Sequence, residues 1–165
     1  MKHLLLIFIV ISLFSCSNGP ENKTFDIDGR YYIHATKRVF DTIEKIHVTS
    51  HKSNDSLVFT YDYKVLHDGI DTLIILGDSI ILKNTKPKFI SNKSFLQKNG
   101  ENFDVNKYYY TSGHPHSNIN FYISKTKGII LSKTENELIA EYHFDSGSQN
   151  LIENIISDST FFKFE

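Results

Sequence analysis

The sequence predicts a mainly β fold, an antiparallel curved sheet or partly open β-barrel with one short C-terminal helix. Apolar and polar residues alternate at period two along much of the chain, and turn-forming residues separate these runs. Helical spacing of apolar residues occurs clearly in one segment near the C-terminus. Because no repeat or linker divides the chain, we expect a single β-rich domain over residues 24–165.

The clearest alternating run covers residues 57–65. Its apolar face consists of Leu57, Phe59, Tyr61, Tyr63 and Val65. Residues 119–124 and 138–144 follow the same rule, and residues 31–35 and 44–48 follow it more weakly. With the remaining short runs, this pattern predicts about nine strands at the spacing of antiparallel meanders.

Two segments predict tight hairpins. Gly77-Asp78 lies between the apolar runs 73–76 and 79–82, and a glycine in the first loop position suits a type II′ turn. A polar turn around Glu135-Asn136 joins residues 128–131 to residues 138–141.

The C-terminal segment departs from the β pattern. Its apolar residues recur at helical spacing, which predicts a helix over 149–157 that covers one end of the sheet, with Ser148 as its N-cap. These residues are Leu151, Ile152, Ile155 and Ile156. Phe161, Phe162 and Phe164 then predict a terminal strand that protects a sheet edge.

The N-terminal segment has the features of a signal peptide over residues 1–15. Lys2 is followed by an apolar stretch over residues 4–14, which is shorter than the roughly 20 residues that a transmembrane helix needs. Residues 13–16, Leu-Phe-Ser-Cys, resemble a bacterial lipobox, although Phe14 is larger than the residue usual at its position. The resemblance implies cleavage before Cys16 and acylation of its sulfur and new amine by chains such as palmitate.

Cys16 is the only cysteine, so it has no partner for an internal disulfide. The alternative is an ordinary secretory signal with an incidental cysteine. Residues 16–23 are polar after Cys16 and predict a tether, since seven extended residues span at most about 23 Å. We therefore expect a lipid-anchored protein of the bacterial cell envelope, on the outer rather than the inner membrane.

The charge balance gives no general attraction to nucleic acid. The chain has 18 basic and 19 acidic residues, and removal of residues 1–15 takes away Lys2, which changes the net charge from −1 to −2.

The run over residues 121–131 resembles strand pairs in small uncharacterised lipoproteins of Bacteroidota-type bacteria. It is also similar to the half-barrel of lipoprotein-carrier and lipoprotein-receptor proteins.

Histidine is the residue type most suggestive of chemistry. His114 and His116 flank Pro115, and extended backbone would place both imidazoles on one side. A zinc site needs three or four converging ligands, which His34, His143 or Asp145 would have to complete. The alternative is that these histidines are scattered and solvated.

No other motif in the sequence indicates an enzymatic activity. The sequence has no G-x-S-x-G elbow and no phosphate-binding loop, so we assign no catalytic residue. The run Tyr108–Tyr110 is either a contact patch or a strand with two rings on one face.

We expect a non-enzymatic module whose apolar groove binds a lipid, peptide or envelope protein, with no cofactor. A metal-dependent envelope hydrolase that uses zinc at His114 and His116 and a purely structural protein remain as alternatives.

Overall fold

A computed structural model describes residues 21–33, 38–53, 55–63, 69–97, 100–111, 113, 118–145 and 147–164. Ten strands and two helices occur in these ranges. The strands are β1 (Glu21–Ile33), β2 (Arg38–Ser53), β3 (Ser56–Tyr63), β4 (Gly69–Leu76), β5 (Ser79–Leu82), β6 (Lys88–Leu96), β7 (Asn102–Tyr110), β8 (Ile119–Ser124), β9 (Gly128–Thr134) and β10 (Leu138–His143). The helices are α1 (Ser148–Ser157) and α2 (Ser159–Phe162).

All ten strands form one antiparallel sheet in the order β5-β4-β3-β2-β1-β10-β9-β8-β7-β6. Strands β1–β5 make an N-terminal meander and β6–β10 a C-terminal meander, and the first and last strands join them from Asp28↔His143 to Ile33↔Leu138. Strands β5 and β6 follow each other in sequence but occupy opposite edges, so the sheet does not close into a barrel. The predicted mainly β fold, a curved open sheet with a short C-terminal helix, is confirmed.

The sheet curls so that one face of each meander, here called the inner face, meets the other in a shared core. Tyr61 of β3 is fully buried, and its hydroxyl accepts a hydrogen bond from the backbone N–H of Ile129 in β9 at 2.8 Å. Gly128 permits this approach, because a Cβ there would lie 2.1 Å from the Tyr61 hydroxyl oxygen. The buried inner face of β3 includes Phe59 and Tyr63, as the alternation in residues 57–65 predicts.

The outer face of the C-terminal meander is covered by the two helices. Tyr122 and Ile139 lie there fully buried, which explains why β8 and β10 carry apolar residues on both faces. The helices contribute Leu151, Ile152, Ile155, Phe161 and Phe162 to this second core. A β-bulge between β8 and β9 directs both Ile130 and Leu131 towards the helices.

Two sequence predictions for the C-terminal segment are wrong. Phe161 and Phe162 lie in α2 rather than in a terminal strand, because both rings pack into the same core, whereas alternation would place them on opposite faces. Ser148 is the first residue of α1 rather than its N-cap. The N-cap residue is Gly147, and the Asp145 carboxylate accepts from the N–H groups of Gly147 and Ser148 at 2.9 and 3.0 Å just before the helix.

The sheet begins earlier than the sequence suggests. Strand β1 starts at Glu21, and residues 21–23, assigned above to the tether, pair with residues 50–52 of β2. Their polar character reflects exposure on both faces. The hairpins at Gly77-Asp78 and Glu135-Asn136 form as predicted, with Gly77 at a φ of 60°. Neither described helix has the length and apolar character needed to cross a membrane.

Candidate functional site

Four of the candidate residues from the sequence lie outside the described ranges. They are Cys16, His34, His114 and His116, so their predicted roles in lipidation and zinc binding stay predictions. Across the parts of the chain that the structure describes, no three His, Cys, Asp or Glu side chains come together as a metal site would require.

The two remaining candidate zinc ligands have other partners. His143 Nε2 lies 3.0 Å from Glu141 Oε2 on the outer face of β10, and both side chains are only 10% exposed. Asp145 accepts from the N–H group of Gly147 just before α1 and pairs with Lys127 at 2.9 Å. The Lys127 ammonium group holds the pKa of the Asp145 carboxyl below its ordinary value. These contacts give both residues a structural role at the end of the sheet.

The tyrosine run lies in strand β7. Tyr108 is buried on the inner face, while Tyr109 packs against Phe164 on the outer face with ring centroids 6.1 Å apart. Tyr110 returns to the inner face and lines a cleft. The run therefore has two rings on one face and one on the other, as the strand interpretation predicts.

The cleft beside Tyr110, here called the tyrosine cleft, has a volume of about 320 Å³. It opens where the inner faces of the two meanders diverge, at the end of the sheet opposite Glu21. Its apolar surface consists of Leu82, Ile119, Phe121, Ile129, Leu138 and Ala140. Small-molecule sites are usually concave and mainly apolar, with volumes of about 300–1,000 Å³, so this cleft lies at the small end of that range.

Hydroxyl groups also form part of the wall of the tyrosine cleft. Tyr31 of β1 and Tyr142 of β10 line it on paired strands, and Tyr63 of β3, on the other side of β2, hydrogen-bonds with Tyr142. Ser132 of β9 extends the chain of hydroxyls by its hydrogen bond with Tyr142. A ligand in the cleft would therefore meet apolar side chains and hydrogen-bonding groups side by side, as the pairing of Tyr31 with Ala140 and of Ser132 with Phe121 shows.

A buried carboxylate supports this wall from behind. Tyr31 donates to Glu44 Oε2 at 3.0 Å, and Glu44 is fully buried. This bond fixes the orientation of the Tyr31 ring, because a buried carboxylate needs its hydrogen-bond donors.

Burial extends the pH range over which the phenols of the cleft stay neutral. It raises the pKa of Tyr142 to about 12, and it raises the pKa values of Tyr31 and Tyr63 well above their ordinary value. The three hydroxyls act as hydrogen-bond donors and acceptors, and they keep that role in alkaline solution where an exposed tyrosine would ionise.

An ion pair marks the rim of the cleft. Asp71 of β4 contacts Lys83 at 2.6 Å, and the Asp71 side chain is 13% exposed while that of Lys83 is 54% exposed. The pair places the Lys83 ammonium group at the mouth and the mostly buried Asp71 carboxylate just inside it. A molecule with an apolar body and a polar end would find a partner for each part in the cleft.

The sequence pattern did not reveal this cleft. The tyrosines of β1, β3 and β10 read as core residues, since each occupies an apolar position of an alternating strand. One sequence signal of a polar site is that Tyr31, Tyr63 and Tyr142 are tyrosines rather than phenylalanines. A buried phenol needs a hydrogen-bond partner, so three of them at core positions indicate polar groups nearby. Their convergence depends on how strands distant in sequence curl towards each other.

Comparisons of the chain with protein-family models, with curated proteins and with solved structures find no match.

Proposed function

We propose that this chain is a cell-envelope lipoprotein, anchored through Cys16, whose β domain binds a small amphipathic molecule in the tyrosine cleft. The observation that carries the binding function is the cleft itself, with its apolar side chains, its tyrosine and serine hydroxyls and its charged rim. The anchor rests on the lipobox-like sequence at residues 13–16.

The position of the cleft bears on where its ligand comes from. Strand β1 runs from Glu21, five residues after Cys16, to the cleft wall at Tyr31. Ten residues of strand cover about 33 Å. With the anchor at one end of β1 and the cleft at the other, the domain can present its cleft away from the membrane that holds it. The ligand would then arrive from the envelope space or from an envelope partner.

The binding function is tested with a neutral apolar dye, N-phenyl-1-naphthylamine, whose fluorescence rises in apolar surroundings. We expect saturable binding that is lost in Ala140→Trp, because the indole would occupy the cleft from β10.

The matched control is Ile70→Trp. Ile70 is 68% exposed and does not line the cleft, so this variant adds the same ring elsewhere on the surface. Equal dye binding by both tryptophan variants, or none by the unaltered chain, would contradict the proposed site. A Cys16→Ala variant tests the anchor separately, by membrane fractionation of cells. Retention of that variant in the membrane fraction to the wild-type extent would contradict lipidation.

A further inference from the structure

A second cleft, unrelated to the tyrosine cleft, lies on the inner face of the C-terminal meander. It occupies about 820 Å³ between the β4–β5 turn, the β6–β7 hairpin and the β8–β9 turn, and shares no lining residue with the tyrosine cleft. Because β5 and β6 do not pair, this part of the inner face is left uncovered by the N-terminal meander. We call it the amide cleft after Asn92 and Asn106 in its wall.

An exposed aromatic ring forms one side of the amide cleft. Phe89 of β6 is 44% exposed, and its ring packs at 73° to that of Tyr108, with centroids 5.7 Å apart. The contact with Tyr108 fixes the ring while part of it remains open to solvent. A fixed, exposed phenyl ring in a cleft provides a flat apolar surface for a ligand.

Ordered side-chain amides lie beside this ring. Asn92 Nδ2 donates to Asn106 Oδ1 at 2.6 Å, and Asn106 Nδ2 donates to the Tyr108 hydroxyl at 3.3 Å. The Tyr108 hydroxyl in turn donates to the carbonyl oxygen of Asp78 at 3.1 Å. Asn92 Nδ2 also donates to the carbonyl oxygen of Val105 at 3.4 Å, so the exposed Asn92 amide offers a ligand its oxygen as an acceptor, while the largely buried Asn106 keeps one further N–H.

The lysines beside the amide cleft lie in ion pairs. Lys125 contacts Asp78 at 3.0 Å and Lys127 contacts Asp145 at 2.9 Å. Asp104 accepts from the neutral Ser94 hydroxyl and keeps its negative charge, so the cleft offers no surplus positive charge to an anionic ligand. The cleft instead combines a flat apolar ring with closely spaced donors and acceptors.

We propose that the amide cleft is a binding site for a neutral saccharide. Sugar rings present an apolar C–H face, which packs on aromatic rings, and adjacent hydroxyls that both donate and accept, which match side-chain amides and carboxylates. An extended peptide fits less well, because the β-bulge between Phe89 and Ser91 interrupts the regular edge that strand addition requires. This inference is independent of the tyrosine cleft and of the anchor at Cys16.

The experiment titrates the ¹⁵N-labelled domain, residues 17–165, with maltohexaose, triacetylchitotriose and mannotriose while amide chemical shifts are recorded. We expect at least one of these saccharides to produce saturable shifts in β6, β7 and the β8–β9 turn. Phe89→Ala should weaken that binding at least about tenfold, and Asn92→Ala should weaken it measurably. Both residues are exposed, so neither variant should disturb the fold.

Ile70→Ala is the matched control, since it truncates an exposed apolar side chain on a strand away from the cleft. It should leave the affinity unchanged. The inference is overturned if none of the three saccharides shifts these amides, or if Phe89→Ala and Asn92→Ala both bind as the control does. Shifts confined to the tyrosine cleft would also overturn it, because they would assign the saccharide to the other site.

Discussion

The two meanders use their faces differently. Among the N-terminal meander's side chains that the structure describes, those that are buried lie on the inner face, and the outer face of β1 and β2 carries exposed polar contacts, including those of Lys45 with Asp28 and of His47 with Asp26. In the C-terminal meander both faces are buried, the inner against the N-terminal meander and the outer against α1 and α2. Substitutions on the outer face should therefore be tolerated in the N-terminal meander and destabilising in the C-terminal meander. Both clefts lie where the shared inner core ends.

The largest effect is expected at the point where the two meanders meet. Gly128→Ala places a Cβ against the Tyr61 hydroxyl at a φ of 78°. We expect a loss of about 4 kcal/mol of unfolding free energy, of which roughly 1–2 comes from the left-handed backbone and 1–3 from overpacking. Urea unfolding followed by circular dichroism measures this loss.

Gly100→Ala separates the two causes. Gly100 also has a positive φ, 85°, but a Cβ there would meet nothing within 4 Å. Its loss should be limited to the backbone term of about 1–2 kcal/mol. Equal losses for the two variants would mean that the contact between Gly128 and Tyr61 does not constrain the packing of the meanders.

The next prediction compares the core beneath the helices with the inner core that the two meanders share. Ile152→Ala truncates a fully buried residue beneath α1, and Leu73→Ala truncates a fully buried residue of the inner core. Each should cost about 3 kcal/mol, within the usual 2–5 for such cavities. Because β1 pairs with β10, both variants should unfold in one transition. Separate transitions in far- and near-ultraviolet circular dichroism would show that the two cores are independent.

This contrast also explains what the sequence could and could not predict. Alternation in β3 and the glycine at Gly77 reflect local rules, so the strand and its hairpin follow from the residues alone. Whether Phe161 and Phe162 lie in a helix or in a strand depends on a core formed by strands that are distant in sequence. The spacing of the two residues alone does not distinguish these elements. The tyrosine cleft was missed for the same reason, since Tyr63 and Tyr142 meet only because the sheet curls.

A smaller effect is expected at the cap of α2. Asp158 accepts a hydrogen bond from the Lys93 ammonium group and a second from Phe161 N at 3.1 Å, and these bonds hold the pKa of the Asp158 carboxyl below its ordinary value of 3.8. Asp158→Ala should cost about 1 kcal/mol at pH 7. Because the folded pKa is lowered, the stabilisation is present above pH 3.8 and is lost as the pH falls through the folded pKa.

Unfolding of Asp158→Ala and the unaltered chain is therefore compared at several pH values. The difference in stability should shrink on acidification below pH 4. A difference that stays constant over this range would mean that the ionised carboxylate does not contribute to the cap.

The smallest effect is expected on the open face of the N-terminal meander. Lys45→Ala removes an exposed ion pair with Asp28 and should change the unfolding free energy by less than about 1 kcal/mol. Thermal unfolding at low and high salt measures the change. A loss as large as that of Ile152→Ala would show that this face is covered in the folded protein, and the contrast between the two meanders would be wrong.

The central claim is that the tyrosine cleft binds a small amphipathic ligand. Its most direct test is an amide chemical-shift titration of the ¹⁵N-labelled domain with N-phenyl-1-naphthylamine. The account predicts saturable shifts centred on the amides of Ile129, Ser132 and Ala140, which line the cleft on neighbouring strands. Shifts spread evenly over the surface, or centred on α1 and the amide cleft, would contradict it.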